Sequence, residues 1–272
     1  TLENNSIAYF TSSKGYEPGG LNNGVPYTDG SGNRLLGSFG KEEATQNELG
    51  WKGTINDGKT SIAIAYFDID YKDRAFQVVA PNPGGPGLIE YVTNIGDSEQ
   101  NGLEFEITTK ATDNLTLSLA AGWVDSEFTE GTVLADGTDL SGLTPSGTID
   151  NGFLIAADYA NTIFNGTEFT LGIQWSHTGQ GIGMPVVGAL KNPSYDVFNI
   201  QAGFTNGPWD LVLTLDNVFD EDYYSDLCNK FRSPHLWYLD DSNQWSLRFK
   251  IENINNTDSD DVLNREGNIK HN

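Results

Sequence analysis

Apolar and polar side chains alternate along most of this chain with a period of two. In WDLVLTLD (209–216), a tryptophan and three leucines alternate with residues that are polar at all but one position. The same alternation runs through LEFEIT (103–108), LTLSLAAGW (115–123), FTLGIQWSH (169–177) and QWSLRFKIE (244–252). Successive side chains of a β-strand point to opposite faces, so each segment predicts a strand with one apolar and one polar face. The fold is therefore predicted to be all-β.

The alternating segments predict ten strands, at about residues 4–13, 44–55, 60–72, 91–110, 115–128, 152–163, 167–178, 194–205, 208–219 and 244–252. Four connections are short and rich in residues that tolerate positive φ: Asn56-Asp57-Gly58, Thr112-Asp113-Asn114, Asn165-Gly166 and Asn206-Gly207. They alternate with long links at about 14–43, 73–90, 129–151, 179–193 and 220–243. One end of the sheet is thus expected to carry tight turns and the other end long loops.

This alternation of links favours an antiparallel, up-and-down transmembrane β-barrel. Outer-membrane barrels have short periplasmic turns, long extracellular loops, and strands that are apolar outside and polar inside. A soluble β-sandwich or lectin-like domain is the alternative, because its strands alternate too. Trp123, Trp175 and Trp245 on the apolar faces argue for the barrel. Finding Trp123, Leu171 and Leu213 in a dry centre between two stacked sheets would contradict it.

Charge and composition exclude several classes of function. The chain has 15 basic and 38 acidic residues, a formal net charge of −23, which disfavours binding to nucleic acid because the chain repels a phosphate backbone. Cys228 is the only cysteine, so neither an intrachain disulfide nor a thiolate metal cluster is expected. No apolar run reaches the length of a membrane helix.

The sequence offers no constellation of catalytic or metal-ligating residues. His177, His235 and His271 are widely separated, and His177 is expected to be an interfacial or loop residue. The acidic segments DEDYYSD (220–226) and DSDD (258–261) lack the ligand spacing of a calcium loop. We therefore predict no enzyme activity, no cofactor and no metal site.

Four segments, in this order, resemble the C-terminal barrel half of TonB-dependent outer-membrane receptors. They are SIAYFTSSKGYEPGGLN (6–22), KEEATQNELGWKGTINDGKTSIAIAYFDIDYKDR (41–74), NIGDSEQNGLEFEITTKATDNLTLSLAAGWVDSEF (94–128) and LTLDNVFDEDYY (213–224). The resemblance implies a bacterial outer-membrane protein that takes up a scarce solute, typically a ferric siderophore, with energy from the TonB complex. Such transporters have 22 strands and a plugged lumen.

The chain departs from the family pattern at both ends. It shows no plug domain, no TonB box and only about ten strands, so it is expected to be part of a larger barrel. The TonB complex would then act only through a plug domain that is absent from this chain. Residues 1–252 are predicted to form the barrel segment, and 253–272 a polar, acidic C-terminal extension.

Aromatic residues are the candidate binding groups. Those in the predicted long loops are expected to contact cargo: Tyr16, Tyr27, Phe39, Tyr91 and Trp237. Those on apolar faces or at strand ends are expected to form an aromatic girdle at the membrane interface: Trp123, Trp175, Phe219, Tyr223 and Tyr224. The expected partners are the lipid bilayer with its lipopolysaccharide and a small-molecule cargo, most simply an iron chelate.

Two other functions stay open at this stage. One is a small, self-contained outer-membrane barrel or adhesin, because ten strands are an even number and can close. The other is a soluble, carbohydrate-binding β-sandwich. Which solute is carried is not encoded in any motif of the sequence.

Overall fold

Eleven antiparallel strands form one sheet. The computed structural model describes residues 5–22, 37–81, 86–134, 137–182, 191–223, 244–251 and 265–271. The strands are β1 (Ile7–Glu17), β2 (Glu42–Ile55), β3 (Thr60–Pro81), β4 (Leu88–Lys110), β5 (Leu115–Phe128), β6 (Asn151–Thr162), β7 (Glu168–Thr178), β8 (Tyr195–Asn206), β9 (Trp209–Asp216), β10 (Gln244–Ile251) and β11 (Arg265–His271). The prediction of an all-β fold is confirmed.

Each strand pairs with the next strand along the chain, which is the up-and-down order. This single sheet is not the stacked pair of a β-sandwich. Within the described ranges, β1 and β11 are its two edges and do not pair with each other. The sheet is therefore open, as expected for part of a larger barrel and not for a small barrel closed on itself.

All ten predicted strands are present, and β11 is an addition. It lies within residues 253–272, which were predicted as a polar extension, and it pairs with β10 from Ile251↔Arg265 to Trp245↔His271. The boundary of the barrel segment at residue 252 stays a prediction.

The predicted tight turns lie between β2 and β3, β4 and β5, β6 and β7, and β8 and β9. Asn56, Asp57 and Gly58 all have positive φ, and so do Asn165 and Gly166. Asparagine, aspartate and glycine adopt this conformation at lower cost than other residues, which is why these sequences reverse the chain in so few residues.

The link predicted at 73–90 is mostly strand, so that prediction is wrong. β3 continues past residue 72 to Pro81, β4 already begins at Leu88, and the two strands pair as far as Pro81↔Leu88. The register shifts between Tyr71 and Ala75, where Arg74 pairs with Gly96 (φ 137°) and Asp73 (φ 54°) directly precedes Arg74. A turn-forming aspartate and a glycine marked a β-bulge here, not the end of a strand.

A small apolar cluster joins the long-loop end of the sheet. Ile95, Phe128 and Leu140 are buried together, and four more side chains pack around them: Phe76, Val78, Leu134 and Leu143. Phe76 meets Phe128 edge to face at 5.4 Å between ring centroids. The β5–β6 loop is thereby packed against the β3–β4 hairpin. Among the residues that the structure describes, no helix is long and apolar enough to cross a membrane.

Candidate functional site

The apolar side chains of successive strands are aligned in rows across one face of the sheet. One row crosses five strands, through Phe10, Leu49, Tyr66, Leu103 and Trp123, each paired with the next. These side chains are 38–67% exposed. A contiguous exposed apolar face of this size marks a surface that meets something other than water. On an outer-membrane barrel it is the face toward lipid.

Three of the predicted girdle residues lie among these outward-facing rings. Trp123 is 52% exposed at the end of the row above, and Trp175 is 42% exposed, edge to face with Phe153 at 5.0 Å. Phe219 is 74% exposed, with its ring 5.3 Å from that of Phe198. Their role as an interfacial girdle stays a prediction.

Tyr223 lies elsewhere, and Tyr224 is outside the described residues. The Tyr223 ring stacks on that of Tyr195, with 4.3 Å between the ring centroids. Tyr195 lies an even number of residues before Gln201 on β8, so its side chain is on the polar face. A turn at Asn217 (φ 51°) directs the chain there, because its side chain accepts the Glu221 N–H and donates to the Glu221 carbonyl, both at 3.0 Å. Tyr223 is thus on the side of the sheet opposite to Trp123.

His177 belongs to a compact outward-facing group. Its ring stacks on Phe153 at 5.1 Å, and its Nδ1 lies 3.1 Å from Asp196 Oδ1. The same carboxylate oxygen accepts a hydrogen bond of 2.9 Å from Trp175 Nε1. Across the described ranges, no three histidine, cysteine, aspartate or glutamate side chains are grouped so that they could hold a metal ion.

The opposite face of the sheet is mostly polar. A cavity of about 350 Å³ lies against it, and the cavity walls come from four successive strands, β6 to β9. Its polar lining includes Asp158, Gln174, Gln201, Thr214 and Asp216. This is the face that lines the lumen of a barrel.

The structure describes three of the five predicted cargo-contacting residues. Tyr16 is 74% exposed near the end of β1 and pairs with Glu43. Phe39 and Tyr91 lie in two sequence-distant segments whose backbones are joined by hydrogen bonds of Asn22 and Asn94. Tyr27 and Trp237 lie outside the described residues. Contact of any of these residues with cargo stays a prediction.

Two asparagines fasten the β1–β2 loop to the β3–β4 hairpin. The Asn22 side chain accepts the Val92 N–H and donates to the Val92 carbonyl, both at 2.8 Å. Asn94 Oδ1 accepts the Gly40 N–H at 2.6 Å, and its Nδ2 donates to the carbonyls of Gly40, at 3.3 Å, and Asp73. Sequence reasoning did not single out these residues, although both lie in the segments that carry the family resemblance.

Asp97 holds the bulge of the β3–β4 hairpin. Its carboxylate accepts the Asp73 N–H at 2.9 Å and a hydrogen bond from Lys72 Nζ at 2.8 Å. Burial acts to raise the pKa of Asp97, but these hydrogen bonds outweigh it and leave the pKa below its usual value. The Asp97 carbonyl also accepts the hydroxyls of Thr129 and Thr132, which fastens the β5–β6 loop to the bulge.

The side chain of Arg74 is mostly buried beside the bulge. Its guanidinium lies over the rings of Tyr71, at 4.4 Å, and Phe76, at 5.0 Å, and it donates to Ser98 Oγ at 2.9 Å. Glu42 lies 3.9 Å from it, and both side chains are less than 20% exposed. Burial lowers the pKa of Arg74, and the negative charge of Glu42 acts in the opposite direction.

Comparison with known proteins identifies the sheet. The family model described as "TonB dependent receptor-like, beta-barrel" matches residues 2–218. The metal-pseudopaline receptor CntO of Pseudomonas aeruginosa is 23% identical over 191 residues, which cover 69% of this chain and 25% of that receptor.

Two solved structures share the fold. The ferric yersiniabactin uptake receptor FyuA from Yersinia pestis gives a TM-score of 0.67 at 18% identity, covering 83% of this chain and 32% of FyuA. The siderophore receptor PiuA from Acinetobacter baumannii gives 0.64 at 19% identity, covering 88% of this chain and 32% of PiuA. The chain therefore spans about a quarter of its curated relative and about a third of these structures.

The geometry and the family match agree. An open antiparallel sheet with an outward apolar face, an inward polar face and long loops at one end is the architecture of a segment of such a barrel. TonB-dependent receptors are bacterial outer-membrane proteins, and they are transporters, not enzymes. The chain belongs to the TonB dependent receptor-like β-barrel family.

Proposed function

We propose that the protein takes up a metal chelate, specifically a ferric siderophore, across the outer membrane by a TonB-dependent mechanism. The observation that carries the proposal is the two-faced sheet itself, which matches the family over residues 2–218. Its relatives support the choice of cargo, because they are named as receptors for metal-pseudopaline, for ferric yersiniabactin and for a siderophore.

The partners are proposed on the same basis. The outward rows of apolar side chains would contact the lipid bilayer. The strand ends on the long-loop side would contact its lipopolysaccharide. Tyr16, Phe39 and Tyr91 at the long-loop end of the sheet fit a chelate with conjugated ligand groups, because aromatic rings stack on such groups. Tyr27 and Trp237, which lie outside the described residues, are proposed as further contacts from the sequence alone. We place contact with the TonB complex in a plug domain outside these 272 residues.

Uptake of labelled iron by cells tests this function. The gene that encodes this chain is deleted in its source bacterium, and the cells receive radioactive iron as the chelates present in spent medium of an iron-starved culture. We expect the deletion to abolish energy-dependent uptake of one chelate, and the intact gene on a plasmid to restore it. Equal uptake by the deletion strain and its parent for every iron chelate, with loss of uptake for another solute, would contradict the choice of cargo.

A further inference from the structure

We infer that the β5–β6 loop is a fixed wall on the inward side of the barrel at its long-loop end, so that cargo is selected by a preformed opening and not by movement of this loop. The structure describes residues 129–134 and 137–150 of the loop. The inference rests on the proposed uptake function and assigns one part of its specificity.

The loop and the strand ends that it covers contain the most deeply buried large side chains of the described residues. Each of these side chains is less than 2% exposed. They are Leu140, Thr132 and Pro145 in the loop, Phe128 at the end of β5, and Ser98, which pairs with Phe128. A single sheet cannot bury side chains on its own and needs a second layer packed against it. At this end of the sheet the loop is that layer.

The loop packs on the inward side of the sheet. Phe128 lies five residues after Trp123 on β5, so its side chain is on the face opposite to the outward apolar row. Leu140 is buried against Phe128, and Leu134 and Leu143 pack around them. The loop is therefore folded over the face that lines the lumen.

Hydrogen bonds fix the loop at two places along its length. At its start, the Asp97 carbonyl accepts the N–H of Thr129 at 3.1 Å, in addition to the two threonine hydroxyls described above. Near its end, the Gly147 N–H donates to the Ile182 carbonyl at 2.8 Å, and the Ile182 N–H donates to the Thr148 carbonyl at 3.2 Å. The loop is thus joined to the β3–β4 hairpin and to the β7–β8 link.

The buried cluster determines how rarely the loop can move away. Exposing one fully buried leucine or phenylalanine side chain disfavours a state by about tenfold to more than a hundredfold. For Leu140 and Phe128 together, we expect an open loop in about one molecule in a hundred or fewer. Cargo then meets a surface that is already formed, and binding incurs no cost for ordering the loop.

A reversible cross-link tests whether the loop stays in place during uptake. Ile149 and Gly181 lie opposite each other in an antiparallel pair, where Cα atoms are about 4.5–5.5 Å apart and a disulfide can form. A Cβ added at Gly181 would meet no atom nearer than 3.7 Å. The full-length protein therefore receives Ile149→Cys and Gly181→Cys together, with Cys228→Ser, and is expressed in the deletion strain.

The probe is iron-labelled spent medium, given to oxidised cells and to cells reduced with dithiothreitol and washed. We expect the cross-linked and the reduced protein to have the same half-saturating concentration and the same maximal rate of uptake. Each single-cysteine variant controls for its substitution. Loss of uptake in the cross-linked protein, with recovery after reduction, would show that the loop must move and would overturn the inference.

Loosening the loop is the complementary test. Leu140→Ala removes a side chain from the cluster, and we expect it to raise the half-saturating concentration by about three- to tenfold, because only molecules with the loop in place bind at full strength. The cross-link should restore the wild-type value in this variant. Val133→Ala, at an exposed position of the same loop outside the cluster, should leave uptake unchanged.

Protease treatment separates failure of the inference from failure of the proposed function. Rapid cleavage of the wild-type loop, or an unchanged half-saturating concentration in a Leu140→Ala protein whose loop is cleaved, would overturn the inference. Absence of iron uptake by a wild-type protein whose loop resists the protease would refute the proposed function and still support a fixed loop. If Leu140→Ala does not reach the outer membrane, the cross-link decides the matter without it.

Discussion

A charge placed on the apolar face of β9 should destabilise the protein far more than the same charge on its polar face. Leu213 is 39% exposed in the outward row that contains Ala202, and Thr214, its neighbour, lines the cavity of the polar face. Strands rise about 3.3 Å per residue and tilt by about 40°, so Leu213 lies roughly 10 Å deeper than Trp209. This depth is near the middle of an apolar band about 25 Å tall.

The expected cost follows from that depth. Arginine on the lipid face near the midplane costs about 2–4 kcal/mol, so Leu213→Arg should lower the folding equilibrium constant by about thirtyfold to seven hundredfold. Thr214→Arg meets the wet lumen and should cost much less. Urea unfolding of the full-length protein in lipid vesicles measures both variants. Equal destabilisation, or a larger effect of Thr214→Arg, would refute the assignment of the two faces.

Two further predictions concern the extracellular end. Gly96→Ala should cost about 1–3 kcal/mol and speed protease cleavage of the β5–β6 loop, because φ is 137° and an added Cβ would lie 2.7 Å from Thr132 Oγ1; unchanged cleavage would contradict this. Hydrogen bonds from Lys41 and Lys14 lower the pKa of Glu43 to about 2. The stabilisation from these ion pairs should therefore be present above about pH 4.5 and be lost as the pH falls toward 2, which an infrared or NMR titration of Glu43 checks; titration at an ordinary value would contradict it.

Period-two alternation was sufficient to predict the sheet. The segment that contains Leu171 and Ile173 has one apolar and one polar face in the structure, and the tight turns lie where asparagine and glycine predicted them. The end of β3 was mispredicted at Asp73, a turn-forming residue with positive φ that here belongs to a bulge inside a hairpin. Local sequence does not distinguish the two, since the difference is made by Asp97, which binds the Asp73 N–H from the opposite strand.

The candidate site was predictable only in its chemistry. Aromatic residues in the predicted long links pointed to Phe39 and Tyr91, but their two segments are joined by hydrogen bonds from Asn22 and Asn94 to distant backbone groups. Side-chain to backbone contacts of this kind leave no periodic pattern in the sequence. An asparagine that makes them cannot be distinguished by sequence from any other asparagine in a loop. Tyr223 was placed with the girdle for a similar reason: the turn that moves it onto the polar side depends on the side chain of Asn217.

Solvent accessibility along β7 tests the central claim most directly. Spin labels are attached to single cysteines at Thr170, Leu171, Ile173 and Gln174 of the full-length protein in lipid vesicles, with Cys228 replaced by serine. Labels at Leu171 and Ile173 are expected to collide with lipid-dissolved oxygen, and those at Thr170 and Gln174 with a water-soluble nickel complex if the lumen beside them is wet. Loss of this alternation, with Leu171 and Ile173 shielded from oxygen as in a dry protein core, would contradict the barrel and the transport function built on it.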